Sequence, residues 1–362
     1  METPILQFGT SRFLQAHADL FISEAEDAIG GITIVQTTDA GERSRRLAAL
    51  AAPEGFPIRI RGRQDGRTID EVRTVRSVKR AISALKDWDE TSRIFSNEVQ
   101  VVISNTADRG YDISAESPDL PEGIPVSFPG KLAKLLFHRF EANGAGLTIL
   151  PAELIARNGD VLKGIVLSLA DRWKLPAAFS DWLDNEVVFS NTLVDRIVSE
   201  ALEPAGAVAE PYALWTIERK PKQVLPCTHA AIVVADDISP YANLKLYILN
   251  LGHTFLTAGW LASDLPRDMT VRALLAQPEY RERLMAFYEN DILPGFRKMG
   301  LGAEAEAYVA ATLERFENPF LDHRLSDIAQ NHAEKIRRRA GGFLDWSGVS
   351  SPALEALLAS AG

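Results

Sequence analysis

The first 36 residues alternate between short apolar runs and one longer segment with helical periodicity. Ile5 to Phe8 is an apolar run of strand length, and a helical pattern extends from Leu14 to about Ile29. Gly30-Gly31 ends that pattern, and Ile32 to Gln36 is a second, β-branched run. Strand, glycine turn, helix, glycine stop and strand form the opening of a βαβ unit.

The same patterns continue to about residue 235. Asp65-Gly66 between two alternating runs predicts a hairpin of Pro57 to Arg61 with Thr68 to Val75. Asn158-Gly159 predicts a second turn. The remaining predicted elements are strands at Val101 to Ser104 and Leu147 to Leu150, and helices at Ala81 to Phe95, Lys131 to Glu141 and Val161 to Trp173.

From Tyr241 onward the pattern is almost entirely helical. We therefore predict an α/β protein with a Rossmann-like doubly wound sheet domain at residues 1–235 and a mostly α-helical domain at residues 236–362. The candidate helices are Ala242 to Leu261, Thr270 to Ala276, Tyr280 to Ile292, Ala303 to Phe316 and His323 to Arg338.

Composition narrows the class of partner. The 362 residues carry a formal net charge of −10, which argues against nucleic acid or an anionic membrane as a partner. A single cysteine, Cys227, excludes an internal disulfide, and with six histidines it argues against a structural zinc site. The N-terminal residues lack a basic, apolar leader, and no apolar run has transmembrane length. We expect a cytoplasmic protein that acts as a monomer or small homo-oligomer.

The turn after the first strand is a degraded dinucleotide fingerprint. Gly9 supplies the tight turn, Ser11 stands where the second glycine is usual, and Phe13, which follows Arg12, disturbs the rest of the pattern. The alternative is a plain βα turn of any α/β protein. Ligands of doubly wound sheets lie at the carboxyl ends of strands, so the three residues from Ser104 through Asn105 to Thr106 are also candidate cofactor-binding residues.

The residues after the second strand bear on the choice of cofactor. Asp39 is placed to bond a ribose 2′-hydroxyl, which favours NAD. Arg43, Arg45 and Arg46 follow closely and are able to accept a 2′-phosphate, so NADP is not excluded.

The candidate chemistry lies in Lys245 to His253, which reads KLYILNLGH within an apolar run. A buried helix normally excludes lysine, because an ammonium without a partner is costly to desolvate. At about 100° per residue, His253 lies about 80° around the helix from Lys245, and Asn250 about 140°. A lysine whose pKa is lowered by burial is a competent base, and Asn and His add donors for a developing alkoxide. The alternative is a core helix with a snorkelling lysine.

Three motifs in this order resemble the mannitol dehydrogenase family, the polyol-specific long-chain dehydrogenases. Lys-x4-Asn-x2-His matches at Lys245, Asn250 and His253. Phe189 to Val198, FSNTLVDRIV, is similar to the family signature around Val-Asp-Arg, and Phe13 matches the family's cofactor turn.

Within the family the chain is most similar to the hexuronate branch, the tagaturonate (altronate) and fructuronate (mannonate) oxidoreductases. The similar segments are Leu150 to Ile155 with Asn158-Gly159, Ile103 to Thr106, and Asn318 to His323. Glu153 and Asp327 depart from the polyol-type members.

The resemblance implies a metal-independent, NAD(P)-dependent oxidoreductase that interconverts a secondary alcohol and a ketone on a sugar acid. Lys245 would be the general base, Asn250 and Asn158 would hold the oxygen, and His253 would bind a neighbouring hydroxyl. The other implied substrate-binding residues are Asp195, which would orient Lys245 or the substrate, Lys335, which would pair with a carboxylate, and His323. Two alternatives remain open: a mannitol-type polyol dehydrogenase, and an inactive nucleotide-binding regulatory protein.

Overall fold

The computed structural model describes residues 3–38, 44–106 and 110–361, with Ser44 described by its backbone alone. The chain forms two compact units. The first unit is Met1–Ile60, Glu71–Ala209 and Ala213–Ile238, and the second is Arg61–Asp70, Glu210–Tyr212 and Ser239–Gly362.

The first unit contains the described strands, except for their residues between Arg61 and Asp70. In chain order they are β1 (Ile5–Phe8), β2 (Ile32–Gln36), β3 (Phe56–Gln64), β4 (Arg67–Val75), β5 (Val78–Ser83), β6 (Val101–Ser104), β7 (Leu147–Pro151), β8 (Val187–Phe189), β9 (Thr192–Asp195), β10 (Val198–Ala201), β11 (Ala207–Ala209), β12 (Leu214–Glu218) and β13 (Ile232–Ala235). Its helices are α1 (Arg12–Gln15), α2 (Ala18–Glu24), α3 (Ser44–Leu50), α4 (Trp88–Asn97), α5 (Phe128–Ala142), α6 (Asn158–Arg172) and α7 (Ala177–Asn185).

The central sheet of this unit is parallel and has the order β5-β2-β1-β6-β7-β8. β1, β2, β6 and β7 are buried along their whole length, as expected for a parallel sheet covered by helices. The chain leaves β1 toward β2 on one side and later returns to β6 on the other. The gap between β1 and β6 is therefore the switch point of a doubly wound sheet, and the predicted α/β class is confirmed.

The predicted hairpin is present as β3 and β4. Asp65 and Gly66 form its turn with φ angles of 52° and 74°, the left-handed pair that a two-residue hairpin loop needs. The tip of the hairpin, Arg61–Asp70, belongs to the second unit.

The helix predicted from Leu14 to Ile29 is wrong as a single element. It is broken into α1 and α2 at His17, whose φ and ψ are −128° and −100°. The His17 ring stacks on Phe13 and packs against Phe21 and Trp215, and its Nε2 lies 3.1 Å from the Leu214 carbonyl oxygen. Tertiary packing of one ring therefore overrides a continuous helical pattern.

Two further local predictions are wrong. Residues 78–83 form strand β5 beside β2, where a helix from Ala81 was expected. Asn158-Gly159 opens α6 instead of forming a turn, and the left-handed residue is Arg157 with φ 51°. A Cβ on Gly159 would lie 2.8 Å from the Asn191 nitrogen, so this glycine serves close packing.

The second unit is helical around its own core. Its helices are α8 (Ser239–Leu244), α9 (Leu251–Leu261), α10 (Val271–Leu275), α11 (Pro278–Phe287), α12 (Leu293–Lys298), α13 (Gly302–Phe316), α14 (Leu325–Ile328), α15 (His332–Ile336), α16 (Gly342–Ser347) and α17 (Pro352–Ala359). Among the described residues, π-helical turns join some of them: Lys245–Asn250, Tyr288–Ile292 and Arg337–Gly341. The predicted helix His323 to Arg338 is wrong as one element, because Asn331, with φ 54°, separates α14 from α15. Pro294-Gly295 and Gly341-Gly342 lie inside helical segments.

Candidate functional site

The turn after β1 brings two predicted cofactor residues together. Gly9 has a φ of 109°, and a Cβ at this position would lie 2.7 Å from the Asn105 carbonyl oxygen. The Gly9 nitrogen donates to the Val35 carbonyl oxygen at 3.1 Å. Only glycine fits both the backbone conformation and the contact, so the β1 turn and the end of β6 meet here.

The Ser11 side chain also connects the β1 turn with the residues after β6. Its Oγ donates to Asn105 Oδ1 at 2.9 Å and accepts from the Leu14 nitrogen at 3.2 Å, which caps α1. Arg12 is exposed, and the Phe13 ring stacks on His17 with centroids 4.7 Å apart. Ser11 and Asn105 thus form one polar cluster, whereas Phe13 contributes packing.

Glu153 anchors the segment after β6, a role that sequence reasoning missed. Its carboxylate accepts from Ser104 Oγ at 3.0 Å, from Thr106 N and Oγ1 at 3.0 and 3.1 Å, and from the Tyr111 hydroxyl at 3.2 Å. Burial raises the pKa of Glu153, and the hydrogen bonds from Thr106 and Ser104 oppose that shift. An acidic residue two positions after the end of the buried strand β7 was the available signal.

These segments border a pocket of about 460 Å³ at the switch point. This volume lies within the range of small-molecule sites. The lining residues come from the β1 turn (Gly9, Thr10), the end of β2 (Gln36, Thr37, Thr38), the region after β6 (Asn105, Thr106, Gly110, Asp112) and the start of α5 (Val126, Ser127, Phe128, Lys131).

The residues proposed to choose between cofactors are only partly described. Asp39 and Arg43 lie outside the described residues. Arg46 Nη2 donates to the Thr10 carbonyl oxygen at 2.8 Å, so this arginine contacts the β1 turn.

Asn158 and Asp195 are the predicted substrate residues of the first unit. Asn158 is 1% exposed, and its Nδ2 donates to the carbonyl oxygens of Pro151 and Glu153 at 2.9 and 3.1 Å. Its Oδ1 accepts from the Thr192 nitrogen at 2.9 Å. These bonds hold the β7–α6 connection, so Asn158 has no spare donor for a substrate. Asp195 ends β9 and is 3% exposed.

In the second unit, the predicted catalytic residues bracket a π-helical turn. Lys245 is its first residue, Asn250 is its last, and His253 follows in α9. A π-helical turn has i→i+5 hydrogen bonds. The angles expected for an ideal α-helix are therefore wrong for this segment. Single π-helical turns are frequent at functional sites.

Side chains from elsewhere in this unit bond the carbonyl groups of the π-helical turn. The Tyr288 hydroxyl donates to the Ile248 carbonyl oxygen at 3.0 Å. Arg339 Nη1 donates to the Asn250 carbonyl oxygen at 2.8 Å and to Thr254 Oγ1 at 2.7 Å. Buried side chains therefore bond the π-helical turn in its middle, at Ile248, and at its end, at Asn250.

His253 is buried among rings and cations. Its ring centroid lies 4.3 Å from that of Phe316 and 4.8 Å from that of His323. Burial, followed by the charges of His323, Arg315, Arg339 and Lys335, holds the pKa of His253 well below its usual range. The imidazole is therefore neutral near pH 7, with one nitrogen as donor and one as acceptor.

Lys335 and His323 lie in the same electrostatic neighbourhood. Lys335 Nζ donates to the Ile328 carbonyl oxygen at 2.8 Å, and burial together with Arg339 and Arg338 lowers its pKa. Burial lowers the pKa of His323, an effect that Asp327 opposes. This region gathers cations with neutral histidines, which favours an anionic ligand.

The described residues also bear on metal binding and on membrane spanning. No group of three or more His, Cys, Asp or Glu side chains there is arranged to hold a metal ion. Within the same residues, none of the helices combines the length and apolarity needed to cross a membrane.

The fold and pocket define a class: proteins with a Rossmann sheet followed by a helical unit. Comparison with known families specifies the class further. Residues 3–226 match the mannitol dehydrogenase Rossmann domain, and residues 237–341 match the mannitol dehydrogenase C-terminal domain. The chain belongs to the mannitol dehydrogenase family, and the family prediction is confirmed.

Several relatives carry the name altronate oxidoreductase. The one from Halalkalibacterium halodurans is 34% identical, and the aligned region covers 92% of this chain and 69% of the relative. The one from Bacillus subtilis is 31% identical, with coverage of 92% and 73%. The one from Escherichia coli is 34% identical, also with coverage of 92% and 73%.

Solved structures agree on the fold. A D-sorbitol dehydrogenase in substrate-free form has a TM-score of 0.78 at 18% identity, covering 93% of this chain and 74% of that one. Mannitol 2-dehydrogenase of Pseudomonas fluorescens, solved with NAD and D-mannitol, has a TM-score of 0.73 at 20% identity, covering 100% of this chain and 79% of that one.

Proposed function

We propose that this protein is an NAD-dependent oxidoreductase that interconverts a secondary alcohol and a ketone on a sugar acid, of the tagaturonate/altronate or fructuronate/mannonate type. The observation that carries the proposal is the pairing of Lys245, Asn250 and His253 with a cationic neighbourhood that suits a carboxylate. Relatives that are 31–34% identical are named altronate oxidoreductase, which supports the same substrate class.

The first unit suits the dinucleotide. Its pocket lies at the switch point, Gly9 lets the β1 turn approach Asn105 closely, and Glu153 fixes the Ser104 to Thr106 segment. The mannitol 2-dehydrogenase of similar fold was solved with NAD. When bound, NAD would supply the hydride acceptor, or in the reverse direction NADH the donor.

The second unit supplies the acid–base chemistry. Lys245 takes the hydroxyl proton during oxidation and returns it during reduction. The Asn250 amide stabilises the oxygen as it becomes alkoxide-like. The neutral His253 donates one N–H to a neighbouring hydroxyl, since burial and nearby cations disfavour its protonated form.

The remaining predicted substrate residues divide by role. Lys335 pairs with the carboxylate of the sugar acid, with His323 beside it. Asp195 orients the substrate. For Asn158 we propose a supporting role through the β7–α6 connection, because its amide hydrogens are bonded to carbonyl oxygens.

NAD is the proposed cofactor rather than NADP. Asp39 carries this preference, because its carboxylate would bond the ribose and repel a 2′-phosphate. Asp39→Ala should weaken NAD binding and relieve the exclusion of NADP. Tighter binding of NADP than of NAD by the wild-type protein would show that the arginines after β2 govern the choice.

We also propose that the protein works in the cytoplasm as a monomer or small homo-oligomer, without nucleic acid or membrane partners. Light scattering of the purified protein measures its molar mass in solution and therefore its oligomeric state.

A dehydrogenase screen tests the function. Purified protein is assayed with a panel of aldonates, their ketone forms and the matching polyols, each with NAD and NADP. Turnover that is fastest on a sugar acid supports the proposal. Preference for neutral polyols would favour a mannitol-type dehydrogenase, and nucleotide binding without turnover on any substrate would favour a regulatory protein.

A further inference from the structure

Lys131 is a buried cation with too few acceptors. It lies in the first turns of α5 and is 2% exposed. An ammonium has three N–H donors. Lys131 Nζ donates to one acceptor, the Val126 carbonyl oxygen at 2.6 Å, and the described residues offer it no second hydrogen-bond acceptor.

Lys134, one helical turn further along, provides an internal comparison. It is 5% exposed, and its Nζ donates to the carbonyl oxygens of Pro121, Glu122 and Gly123 at 2.7, 2.9 and 2.8 Å. Its three donors are satisfied by the protein. A buried lysine in this helix can therefore be fully bonded by backbone groups, and Lys131 is not.

The charge of Lys131 is also incompletely balanced. Burial lowers its pKa, and the charge of Glu116 opposes that shift. Glu116 accepts a hydrogen bond from the Ser127 nitrogen and forms no salt bridge with Lys131 within the part of the chain that the structure describes. A buried ammonium without a paired carboxylate is costly, so its retention points to a ligand that supplies the missing negative charge.

The position of Lys131 indicates which ligand. It lines the pocket at the switch point together with Gly9, Thr10, Asn105 and Thr106. In doubly wound folds the pyrophosphate of a dinucleotide lies against the first βα turn and the helix that follows it. Here that helix, α1, has only four residues, so its dipole contributes little.

We infer that Lys131 binds the pyrophosphate of the dinucleotide, an inference that rests on the proposed function. Its two remaining N–H groups donate to phosphate oxygens. The cation thereby replaces the attraction that a longer first helix would provide.

Binding of nucleotide fragments tests this without any turnover. The affinities of ADP-ribose, 2′-AMP and adenosine are measured by calorimetry for the wild-type protein, Lys131→Met and the matched control Lys134→Met. Loss of a charge-assisted hydrogen bond should weaken ADP-ribose binding to Lys131→Met by about tenfold or more. Adenosine binding should be unchanged, and Lys134→Met should bind ADP-ribose as the wild type does.

Thermal unfolding without ligand supplies a second readout. Methionine removes a buried charge at nearly constant volume, so Lys131→Met should keep or raise the unfolding temperature. A lowered unfolding temperature with unchanged ADP-ribose affinity would make Lys131 structural and overturn the inference. Selective loss of 2′-AMP binding would overturn it in favour of a ribose-phosphate contact. If the wild-type protein binds none of the three fragments, the proposed function fails, and this inference fails with it.

Discussion

The candidate sites of the two units differ in the groups that form them. In the first unit the pocket is formed where strands end, and most of its fixed polar contacts involve backbone groups or one carboxylate, Glu153. In the second unit the candidate residues are side chains on helical segments far apart in sequence, such as His253 and Lys335, whose charge acts on His253. A backbone site tolerates many sequences and follows from strand order, whereas a side-chain site depends on helical register. The site of the first unit can therefore be located from local sequence patterns. The site of the second unit can be located only when the position of each side chain is known.

The largest effect should come from the second unit. Lys245→Ala should lower kcat by at least about a hundredfold, the usual scale of lost general acid–base catalysis. NAD affinity should stay at the wild-type value, because the proposed cofactor residues lie in the first unit. Steady-state kinetics with fluorescence titration of NADH measures both, with the exposed Lys86→Ala as control. Near-normal turnover of Lys245→Ala at neutral pH would remove the base assignment.

Substrate selection should depend on Lys335. Its charge-assisted bond to a carboxylate should make kcat/KM for a sugar acid exceed that for the matching polyol by more than about tenfold. Lys335→Met should lower kcat/KM for the sugar acid close to the value for the matching polyol, and it should leave polyol turnover nearly unchanged. Lys298→Met, at an exposed position of the same unit, is the control. Equal wild-type activity on an aldonate and its polyol would argue against a carboxylate subsite.

The first unit should respond to Glu153→Gln. The hydroxyl groups of Ser104, Thr106 and Tyr111 donate to the Glu153 carboxylate, and glutamine would replace one of its acceptor oxygens by an N–H donor. A buried polar group that loses its partner in this way costs about 1–3 kcal/mol. The Ser104 to Thr106 segment should shift, which raises the Kd for NAD by about tenfold, with kcat at saturating NAD close to wild type. An unchanged Kd would show that this segment does not position the cofactor.

The smallest effect concerns pH and the stability of the second unit. The folded pKa of His253 lies below its unfolded value of about 6.5, so the unfolded chain binds more protons below that pH. The contribution of His253 to stability is complete above pH 6.5 and is lost as pH falls toward the folded pKa, by up to about 1.4 kcal/mol per pH unit. Denaturant unfolding at pH 7.5 and 5.5 should show a smaller loss for His253→Gln than for wild type. Identical losses in the two proteins would contradict the lowered pKa.

The first unit was largely predictable from sequence. β1, β2 and β6 have the predicted bounds, because short apolar runs between polar turns leave little choice of register or length. Ser11 and Asn105 were each predicted as residues near the cofactor, the second because ligands lie at the carboxyl ends of strands, and they are hydrogen-bonded to each other. The burial of Lys131 at the pocket was not predicted, because a lysine in a helical pattern usually lies on the exposed face of the helix.

The second unit was predictable only in outline. Apolar periodicity located its helices, but it gave no sign of the π-helical turn between Lys245 and Asn250. Such a turn depends on distant groups, here the Tyr288 hydroxyl and the Arg339 guanidinium. The break at Asn331 likewise leaves no local signal beyond a residue that tolerates positive φ.

The packing of Tyr288 on Gly252 restricts how this chain can vary. A Cβ at Gly252 would overlap the Tyr288 hydroxyl, which also bonds the Ile248 carbonyl oxygen. Alanine at position 252 therefore requires a smaller residue at position 288, and that residue would leave the carbonyl group without its donor. Either change alone should therefore give a less stable protein, the first by overlap with the Tyr288 hydroxyl and the second by loss of the donor to Ile248. Among related sequences this constraint would appear as paired substitution.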